Sequence, residues 1–145
     1  MIHVQSEIFD PGVELNSFME GRTDKGAAVS FTGHVRGETG KDILELEHYP
    51  GYTEAEITKI EQEAHARWPG IDTHIIHRYG PMQPGEPIVF VAVCSTHRKD
   101  SFEAATFLMD YLKTGAPFWK KEKSGDTEIW IEPKDSDYAA KESWT

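Results

Sequence analysis

The sequence has little cysteine, no long apolar run and no excess of basic residues. Its 145 residues include one cysteine, Cys94, so an internal disulfide and a cysteine-rich metal site are excluded. No apolar run approaches the roughly 18 residues of a membrane-spanning helix. The N-terminus shows no basic segment followed by an apolar stretch, as a secretory signal would. We therefore expect a soluble cytoplasmic protein without membrane contact.

The charge balance is acidic. With 25 acidic and 15 basic residues, the chain has a formal net charge of −10, which disfavours nucleic acid as a partner because phosphate binding needs a basic surface. Hydrophobic residues at 38% and aromatic residues at 11% indicate a folded core. The length fits one domain, and no repeat or linker divides it. We predict a single domain over 1–145, with a charged tail at 133–145 that we expect to be partly mobile.

Turn residues and apolar periodicity predict a mixture of strands and helices. The strand at 88–94 is apolar on both faces, so we expect it to be central and covered on both sides. The other expected strands lie over 2–8, 27–36, 42–49 and 71–79, followed by a Pro- and Gly-rich loop up to Pro87, and a hairpin over 118–132 turns at Ser124-Gly125.

Three helices are expected between these strands. Asp10 and Pro11 form a helix start, because an Asp side chain caps free N–H groups and Pro presets φ. Residues 53–56 and 100–103 each fit the Thr/Asp-x-x-Glu pattern of a capping box. Because strands and helices do not strictly alternate, we predict an α+β fold with a largely antiparallel sheet, short helices and a C-terminal hairpin.

Basic side chains cluster in one part of this acidic chain. Residues 97–123 carry six basic and four acidic side chains, a net +2, whereas the other 118 residues carry −12. A solvent-exposed helix face bearing lysines is the plainer interpretation, and a small anion site is the sharper one. Two details favour the anion site. His97 and Arg98 precede a predicted helix, where free backbone N–H groups bind anions, and Lys120 follows the apolar segment 117–119.

Lysines that are crowded by other cations in a partly desolvated site have lowered pKa values. Such a lysine serves as a general acid or base, or as a nucleophile. Lys113 and Lys120 are the candidates here, and Arg36, at the end of the polar face of its strand, is a third cation that would join them.

The histidines and the cysteine do not predict a metal site. His74 and His77 are three residues apart on a predicted strand, so they point to opposite faces. No HExxH motif or carboxylate cluster accompanies them. His48 lies among leucines and is interpreted as a core histidine, and Cys94 ends an apolar run and is interpreted as a buried small hydrophobe.

Six short segments follow one another along the chain in the order typical of a known family. Together they resemble the large, catalytic subunit of molybdopterin synthase, and the match extends from the first strand to about residue 132. The segments are Phe31–Arg36 (FTGHVR), Leu46–Gly51 (LEHYPG), His77–Gly80 (HRYG), Pro84–Glu86 (PGE), Ser95–Arg98 (STHR) and Met109–Glu122 (MDYLKTGAPFWKKE).

The resemblance implies a specific reaction and assembly. Members of this family convert cyclic pyranopterin monophosphate into molybdopterin by adding two sulfurs as a dithiolene. The sulfur arrives as a thiocarboxylate on the C-terminal Gly-Gly of a small ubiquitin-like subunit, so neither a cofactor nor a metal is expected. The implied fold is an α/β hammerhead. Two large subunits form a central homodimer, with one small subunit at each end of a heterotetramer.

The resemblance also implies roles for individual residues. Lys113 is the expected acid/base, or alternatively a transient acyl acceptor from the small subunit, and Lys120 is expected to stabilise charge and position the substrate. In at least one pairing of subunits, we expect one pocket to bring both lysines together with His97 and Arg98. The full set of implied substrate-binding residues is His34, Val35, Arg36, His97, Arg98, Lys113, Lys120, Lys121 and Glu122.

Two other function classes remain open from the residues themselves. One is a non-catalytic module that binds an anion or a nucleotide through the same basic cluster. The other is a partner-binding scaffold in which the apolar Phe118-Trp119 segment is simply an interface.

Overall fold

Two four-stranded β-sheets and four helices make up the computed structural model, which describes all 145 residues. The predicted α+β class is confirmed. No helix combines the length and the apolar character needed to cross a bilayer. The elements are β1 (Ile2–Gln5), α1 (Pro11–Met19), β2 (Ala27–His34), β3 (Asp42–His48), α2 (Tyr52–Arg67), β4 (Asp72–Arg78), β5 (Gly80–Met82), β6 (Pro87–Ser95), α3 (Arg98–Gly115), β7 (Phe118–Ser124), β8 (Thr127–Ile131) and α4 (Asp135–Glu142).

The first sheet has the order β1-β4-β6-β2, with only the β1–β4 pair parallel. Every residue of β6 except Ile88 is buried, which confirms the prediction of a central strand covered on both sides. Successive side chains point to opposite faces. Phe90 and Cys94 therefore pack beside α1 in one core cluster, while Val91 and Val93 pack with α2 and α3 in the larger one.

The second sheet has the order β5-β3-β7-β8 and is antiparallel throughout. The predicted C-terminal hairpin is confirmed as β7 and β8, with Gly125 at φ +60° in its turn. The prediction of a loop up to Pro87 is wrong in part, because Gly80–Met82 forms the edge strand β5 on β3. An edge strand accepts Pro81, since its missing N–H leaves no partner unsatisfied on the open side.

Helix and strand ends differ from the predicted ones by a few residues. The Asp10 cap is confirmed, because its carboxylate accepts from the N–H groups of Gly12 and Val13 at 2.9 and 3.2 Å. The predicted capping box at 53–56 is wrong. Helix α2 begins at Tyr52, the Glu54 carboxylate accepts from the Gly51 N–H, and Thr53 is buried, donating to the Pro117 carbonyl at 3.1 Å.

The start of α3 is likewise earlier than predicted. The helix begins at Arg98, with His97 as its N-cap residue, so Asp100 lies within the first turn. The first two strands are shorter than predicted, ending at Gln5 and His34. The earlier start of α3 places His97 and Arg98 directly at a helix N-terminus.

The C-terminal tail contains an unanticipated helix, α4, that packs on α3. The Trp144 indole N–H donates to the Asp110 carboxylate at 2.7 Å. Its ring meets those of Trp68 and Phe107 edge to face, at centroid distances of 5.8 and 5.5 Å. The expected mobility of this tail stays a prediction.

Candidate active site

An open groove of about 510 Å³ lies where the end of β2, the start of β3 and the middle of β7 meet. We call it the strand groove. It contains side chains of both signs of charge, with three basic residues among its lining. The lining residues are His34, Val35, Arg36, Gly37, Asp42, Ile43, Leu44, Ile88, Lys120, Glu122, Lys123 and Ser124.

The pleat of β7 places its alternate charged side chains on opposite faces of the sheet. Lys120 pairs with Leu46 and Glu122 pairs with Leu44, so both charged residues share the face of two buried leucines. Lys121 points to the other face, where its ammonium lies 4.6 Å from the ring centroid of Trp130 and 3.6 Å from the Glu128 carboxylate. The structure therefore brings Lys120 and Glu122 together in the groove and separates Lys121 from them.

Lys120 is the cation of the groove whose pKa is lowered. Burial lowers the pKa of its ammonium, and the positive charges of Lys113 and Arg36 lower it further, while Glu122 and Asp137 act in the opposite direction. The ammonium form is disfavoured by desolvation and by like charges. The lowered pKa expected for a crowded lysine is thus found at Lys120, which gives up its proton more readily than an exposed lysine.

The backbone of Val35 anchors the other wall of the strand groove. Regular pairing of β2 with β6 is interrupted between Gly33 and His34. Beyond that point, the Val35 N–H donates to the Glu86 carbonyl at 2.9 Å and the Gly85 N–H donates to the Val35 carbonyl at 2.8 Å. The Val35 side chain is buried with Leu44, Leu46 and Met82. Its flanking residues, His34 and Arg36, line the groove.

Lys113 lies in the last turn of α3, just before the segment that leads into β7. This segment is held at Pro117, whose carbonyl accepts from Thr53, and at Phe118, whose N–H donates to the Ala116 carbonyl at 2.9 Å. The Phe118 ring packs against both the large core cluster and the cluster around Val35. Lys113 therefore stands at a fixed helix end, close enough to Lys120 to affect its pKa.

His77 is a neighbour of Lys113 that the sequence analysis considered only for metal binding. Its ring stacks on Phe118 at a centroid distance of 3.9 Å, and its Nδ1–H donates to the Arg78 carbonyl at 3.0 Å. Burial lowers the pKa of His77 to about 4, and the charge of Lys113 contributes in the same direction. The imidazole is therefore neutral at pH 7 and adds no charge beside the two lysines.

His34 lines this groove, whereas His74, His48 and Cys94 do not. His74 stacks on Phe18 at 5.9 Å on the opposite face of β4 from His77, as the spacing predicted. His48 stacks on Tyr79 at 3.8 Å, and Cys94 is a buried free thiol, as predicted. No three His, Cys, Asp or Glu side chains are grouped as a metal site would require.

A second groove, of about 680 Å³, lies at the N-terminus of α3. We call it the helix groove. His97 has an extended backbone there, and its carbonyl accepts from the Ser95 hydroxyl at 2.5 Å. Phe102, which is 58% exposed, forms part of the same surface. The lining residues are Gly26, Ala27, Thr96, His97, Arg98, Lys99 and Phe102.

The single pocket expected for all these residues does not form within one chain. Arg98 and Lys113 are at opposite ends of α3. An α-helix rises about 1.5 Å per residue, so their Cα atoms are about 22 Å apart. The strand groove contains Arg36, Lys120 and Glu122, whereas His97 and Arg98 lie in the helix groove. The length and rigidity of α3 separate residues that are close in the basic segment. A single pocket formed by two subunits stays a prediction.

The strand groove also contains residues that sequence reasoning missed. The Asp42 carboxylate accepts from the Glu38 N–H at 2.6 Å, and this bond, together with one from Ser124, lowers the pKa of Asp42. Asp42 and Ser124 meet only because β3 and β7 pair in this register. The sequence carries no signal for these two residues. The alternation along β7 was a signal only for the separation of Lys121 from Lys120 and Glu122.

Comparison with known proteins identifies the family. Residues 4–115 match the MoaE protein family. The molybdopterin synthase catalytic subunit of Pseudomonas aeruginosa is 49% identical over 146 residues, covering 99% of this chain and 97% of that protein. That of Mesorhizobium japonicum is also 49% identical, covering 99% of this chain and 92% of that protein.

Solved structures share the same fold. The molybdopterin biosynthesis MoaE protein from Burkholderia ambifaria has a TM-score of 0.85 and 44% identity, covering 99% of this chain and 97% of that chain. Molybdopterin synthase from Staphylococcus aureus has a TM-score of 0.79 and 34% identity, with coverages of 89% and 95%. A complex of subunits 1 and 2 of molybdopterin-converting factor from Helicobacter pylori is similar in fold alone, with a TM-score of 0.78 at 20% identity and coverages of 92% and 91%. The chain therefore belongs to the MoaE family, the catalytic subunits of molybdopterin synthase and enzymes of molybdopterin biosynthesis.

Proposed function

We propose that this chain converts cyclic pyranopterin monophosphate into molybdopterin by inserting two dithiolene sulfurs. The sulfur comes from the C-terminal thiocarboxylate of a small ubiquitin-like subunit. The observation that carries the proposal is the strand groove, in which Lys120, with its lowered pKa, lies near Arg36 and Lys113. A groove with several cations in an otherwise acidic protein suits an anionic substrate and an anionic sulfur donor.

Arg36, His97 and Arg98 bind the phosphate and the pterin in this proposal. An arginine fork matches the oxygens of a phosphate with two parallel N–H donors. His97 and Arg98 add free backbone N–H groups at the start of α3, where the helix dipole also favours an anion. His34 and the Val35 backbone complete the same wall as Arg36.

Lys113 and Lys120 serve the chemical steps. The thiocarboxylate sulfur attacks a carbon of the pterin side chain and forms a C–S bond, and the oxygen on that carbon leaves as water. Water then hydrolyses the acyl–sulfur link, which leaves the sulfur on the pterin and an ordinary carboxylate on the small subunit. Both steps move protons and develop negative charge on oxygen. Lys113, fixed at the end of α3, transfers the proton or accepts the acyl group as its neutral amine. Lys120 stabilises the oxyanion as its charged form, and Glu122 keeps the ammonium oriented.

The complete site is shared between two copies of this chain. Arg98 is about 22 Å from Lys113 along the helix of its own chain, too far for both to hold one small substrate. A second copy would bring its helix groove to the strand groove of the first. The exposed Phe102 ring beside Arg98 offers apolar surface for that contact. A homodimer with two composite sites is the arrangement that satisfies both grooves.

The sulfur-carrying partner binds at the same site. The solved Helicobacter pylori structure is a complex of two subunits of molybdopterin-converting factor, which supports a two-subunit enzyme here. A Gly-Gly terminus is narrow and extended, so it enters where wider chains do not. Its negative thiocarboxylate is attracted towards Lys113 and Lys120. One small subunit on each large subunit gives a heterotetramer.

Reconstitution tests the proposed function. The purified chain is mixed with the precursor and with the small subunit carrying either a thiocarboxylate or an ordinary carboxylate terminus. Molybdopterin should form only with the thiocarboxylate. Precursor binding without product would favour a non-catalytic anion-binding module, and neither binding nor product would overturn the proposal altogether.

Arg36→Ala should weaken binding of the precursor roughly 10- to 100-fold, because one charged hydrogen-bonding contact is worth about 1.5–3 kcal/mol. Isothermal titration at fixed salt measures this change. Lys59→Ala is the matched control, since Lys59 is exposed on α2 and paired only with Glu56. Unchanged affinity in a folded Arg36→Ala protein would remove Arg36 from the site.

A further inference from the structure

We propose that the pair formed by buried Arg78 and partly exposed Glu86 is a positioning device that fixes the end of β2 and thereby aims Arg36 into the strand groove. The inference rests on the proposed function for the role of Arg36. It concerns two residues that line neither groove. They are connected to Arg36 through backbone hydrogen bonds.

Arg78 joins three backbone segments at the end of β4. Its side chain is only 5% exposed. The guanidinium donates to the Ser6 carbonyl from Nε and Nη2, at 3.2 and 3.1 Å, and to the Pro87 carbonyl from Nη1 at 3.0 Å. Its Nη1 also lies 3.5 Å from Oε1 of Glu86. These donors all have fixed directions, because the guanidinium is planar.

Glu86 transmits this position to the turn before β6. One carboxylate oxygen pairs with Arg78, and the other accepts from the Gln83 N–H. The Glu86 N–H donates back to the Gln83 carbonyl at 3.1 Å. Gly85, at φ +91°, adopts the left-handed conformation that this turn requires. The 83–86 turn is therefore closed by a carboxylate that Arg78 holds in place.

The 83–86 turn also holds the backbone of Val35. Two backbone hydrogen bonds, at 2.8 and 2.9 Å, connect Val35 to Gly85 and Glu86. They lie beyond the irregularity at Gly33/His34, where regular pairing of β2 with β6 is interrupted. The direction of the chain at Arg36 therefore depends on the turn as well as on the sheet. Loss of the ion pair would loosen Val35 and displace the Arg36 guanidinium, while Lys113 and Lys120, on other elements, would stay in place.

Stability alone does not explain a charged pair at this position. Replacing a buried ion pair with apolar residues of similar volume is often neutral or stabilising. Such residues would supply no donors to Ser6 and Pro87 and no acceptor for Gln83. The pair instead fixes the Ser6 and Pro87 carbonyls and the Gln83 N–H at the same time. Such fixed backbone groups keep a substrate-binding arginine in one orientation.

Glu86→Gln tests the inference, because Arg78→Ala risks unfolding by leaving the Ser6 and Pro87 carbonyls without their donor. The amide keeps the size of Glu86 and still accepts from Gln83, but it removes the charge facing Arg78. We expect KM for the precursor to rise roughly tenfold, the effect of about 1.4 kcal/mol, with kcat nearly unchanged. Amide hydrogen exchange at Val35 and Gly85 should become faster. Glu14→Gln, which breaks the carboxylate contact to buried His74 far from the groove, is the matched control and should leave KM unchanged.

A double-mutant cycle separates positioning from general destabilisation. In the Arg36→Ala background, Glu86→Gln should have no further effect on KM, since the aimed side chain is already absent. Additive effects on KM would overturn the inference. Unchanged exchange at Val35 in Glu86→Gln would also overturn it, whatever the assay gives. Absence of turnover in the wild-type complex would instead overturn the proposed function, and the exchange result would still decide whether Glu86 holds the strand end.

Discussion

Lys113→Ala should lower the rate of molybdopterin formation by roughly 10²–10⁴-fold, the usual effect of removing an acid/base group. Lys113 lies in the last turn of α3, and the segment that follows is tied to the core through Pro117 and Phe118. Its ammonium supports neither of these contacts. The variant should therefore fold, assemble and bind the small subunit as the wild type does.

Single-turnover product formation with the thiocarboxylated small subunit measures this effect, and light scattering checks assembly. Lys113→Arg keeps the positive charge but transfers no proton at neutral pH, because the guanidinium stays protonated. It should be nearly as slow as Lys113→Ala if Lys113 is an acid/base or an acyl acceptor. Lys59→Ala should retain full activity. Near-normal product formation by a folded Lys113→Ala enzyme would contradict the mechanism.

Lys120→Ala should slow the reaction by roughly 10²–10³-fold, as loss of an oxyanion-stabilising donor does. In the wild type, burial and the charges of Lys113 and Arg36 lower the pKa of Lys120. A lysine that acts in its charged form loses function as the pH rises through its pKa. The midpoint of the alkaline limb of the pH–rate profile should therefore lie at a pH below the ordinary lysine pKa of about 10.4.

Arg36→Ala tests whether the charge of Arg36 contributes to the lowered pKa of Lys120. Removing one like charge should raise the pKa of Lys120 and move the alkaline limb to higher pH. The profile of kcat, measured at saturating precursor, isolates this shift from weaker binding. Lys120→Arg should flatten the limb, because its charge persists through this range. If the alkaline limb stays at the same pH in both variants, a group other than Lys120 causes it.

The parts of the fold that the sequence predicted well are those in which one physical signal dominates. The continuous apolar run of β6 has no stable position other than the centre of a covered sheet, and the Ser124-Gly125 turn between β7 and β8 requires a residue that tolerates positive φ. The first residues of the helices were harder to predict. Thr53 fits a cap by type, but it is buried and bonds Pro117, so Gly51 and Glu54 cap the helix that begins at Tyr52.

The site was predictable in its residue types and not in its grouping. Sequence proximity placed His97 and Arg98 with Lys113 and Lys120, but α3 extends between them and one chain holds them apart. Asp42 and Ser124 gave no signal, because only the β3–β7 register brings them to the groove. The role proposed for Glu86 was equally hard to predict, because it depends on Arg78, which lies on another strand.

Mixed dimers test whether two copies of this chain share each active site. Differently tagged Arg98→Ala and Lys120→Ala chains are co-expressed, and the heterodimer is purified and assayed at low precursor concentration. Each parent homodimer should be severely impaired. The heterodimer should regain about half of the wild-type activity, because one of its two sites combines the intact Lys120 with the partner's intact Arg98. A heterodimer no more active than its parents would contradict a shared site.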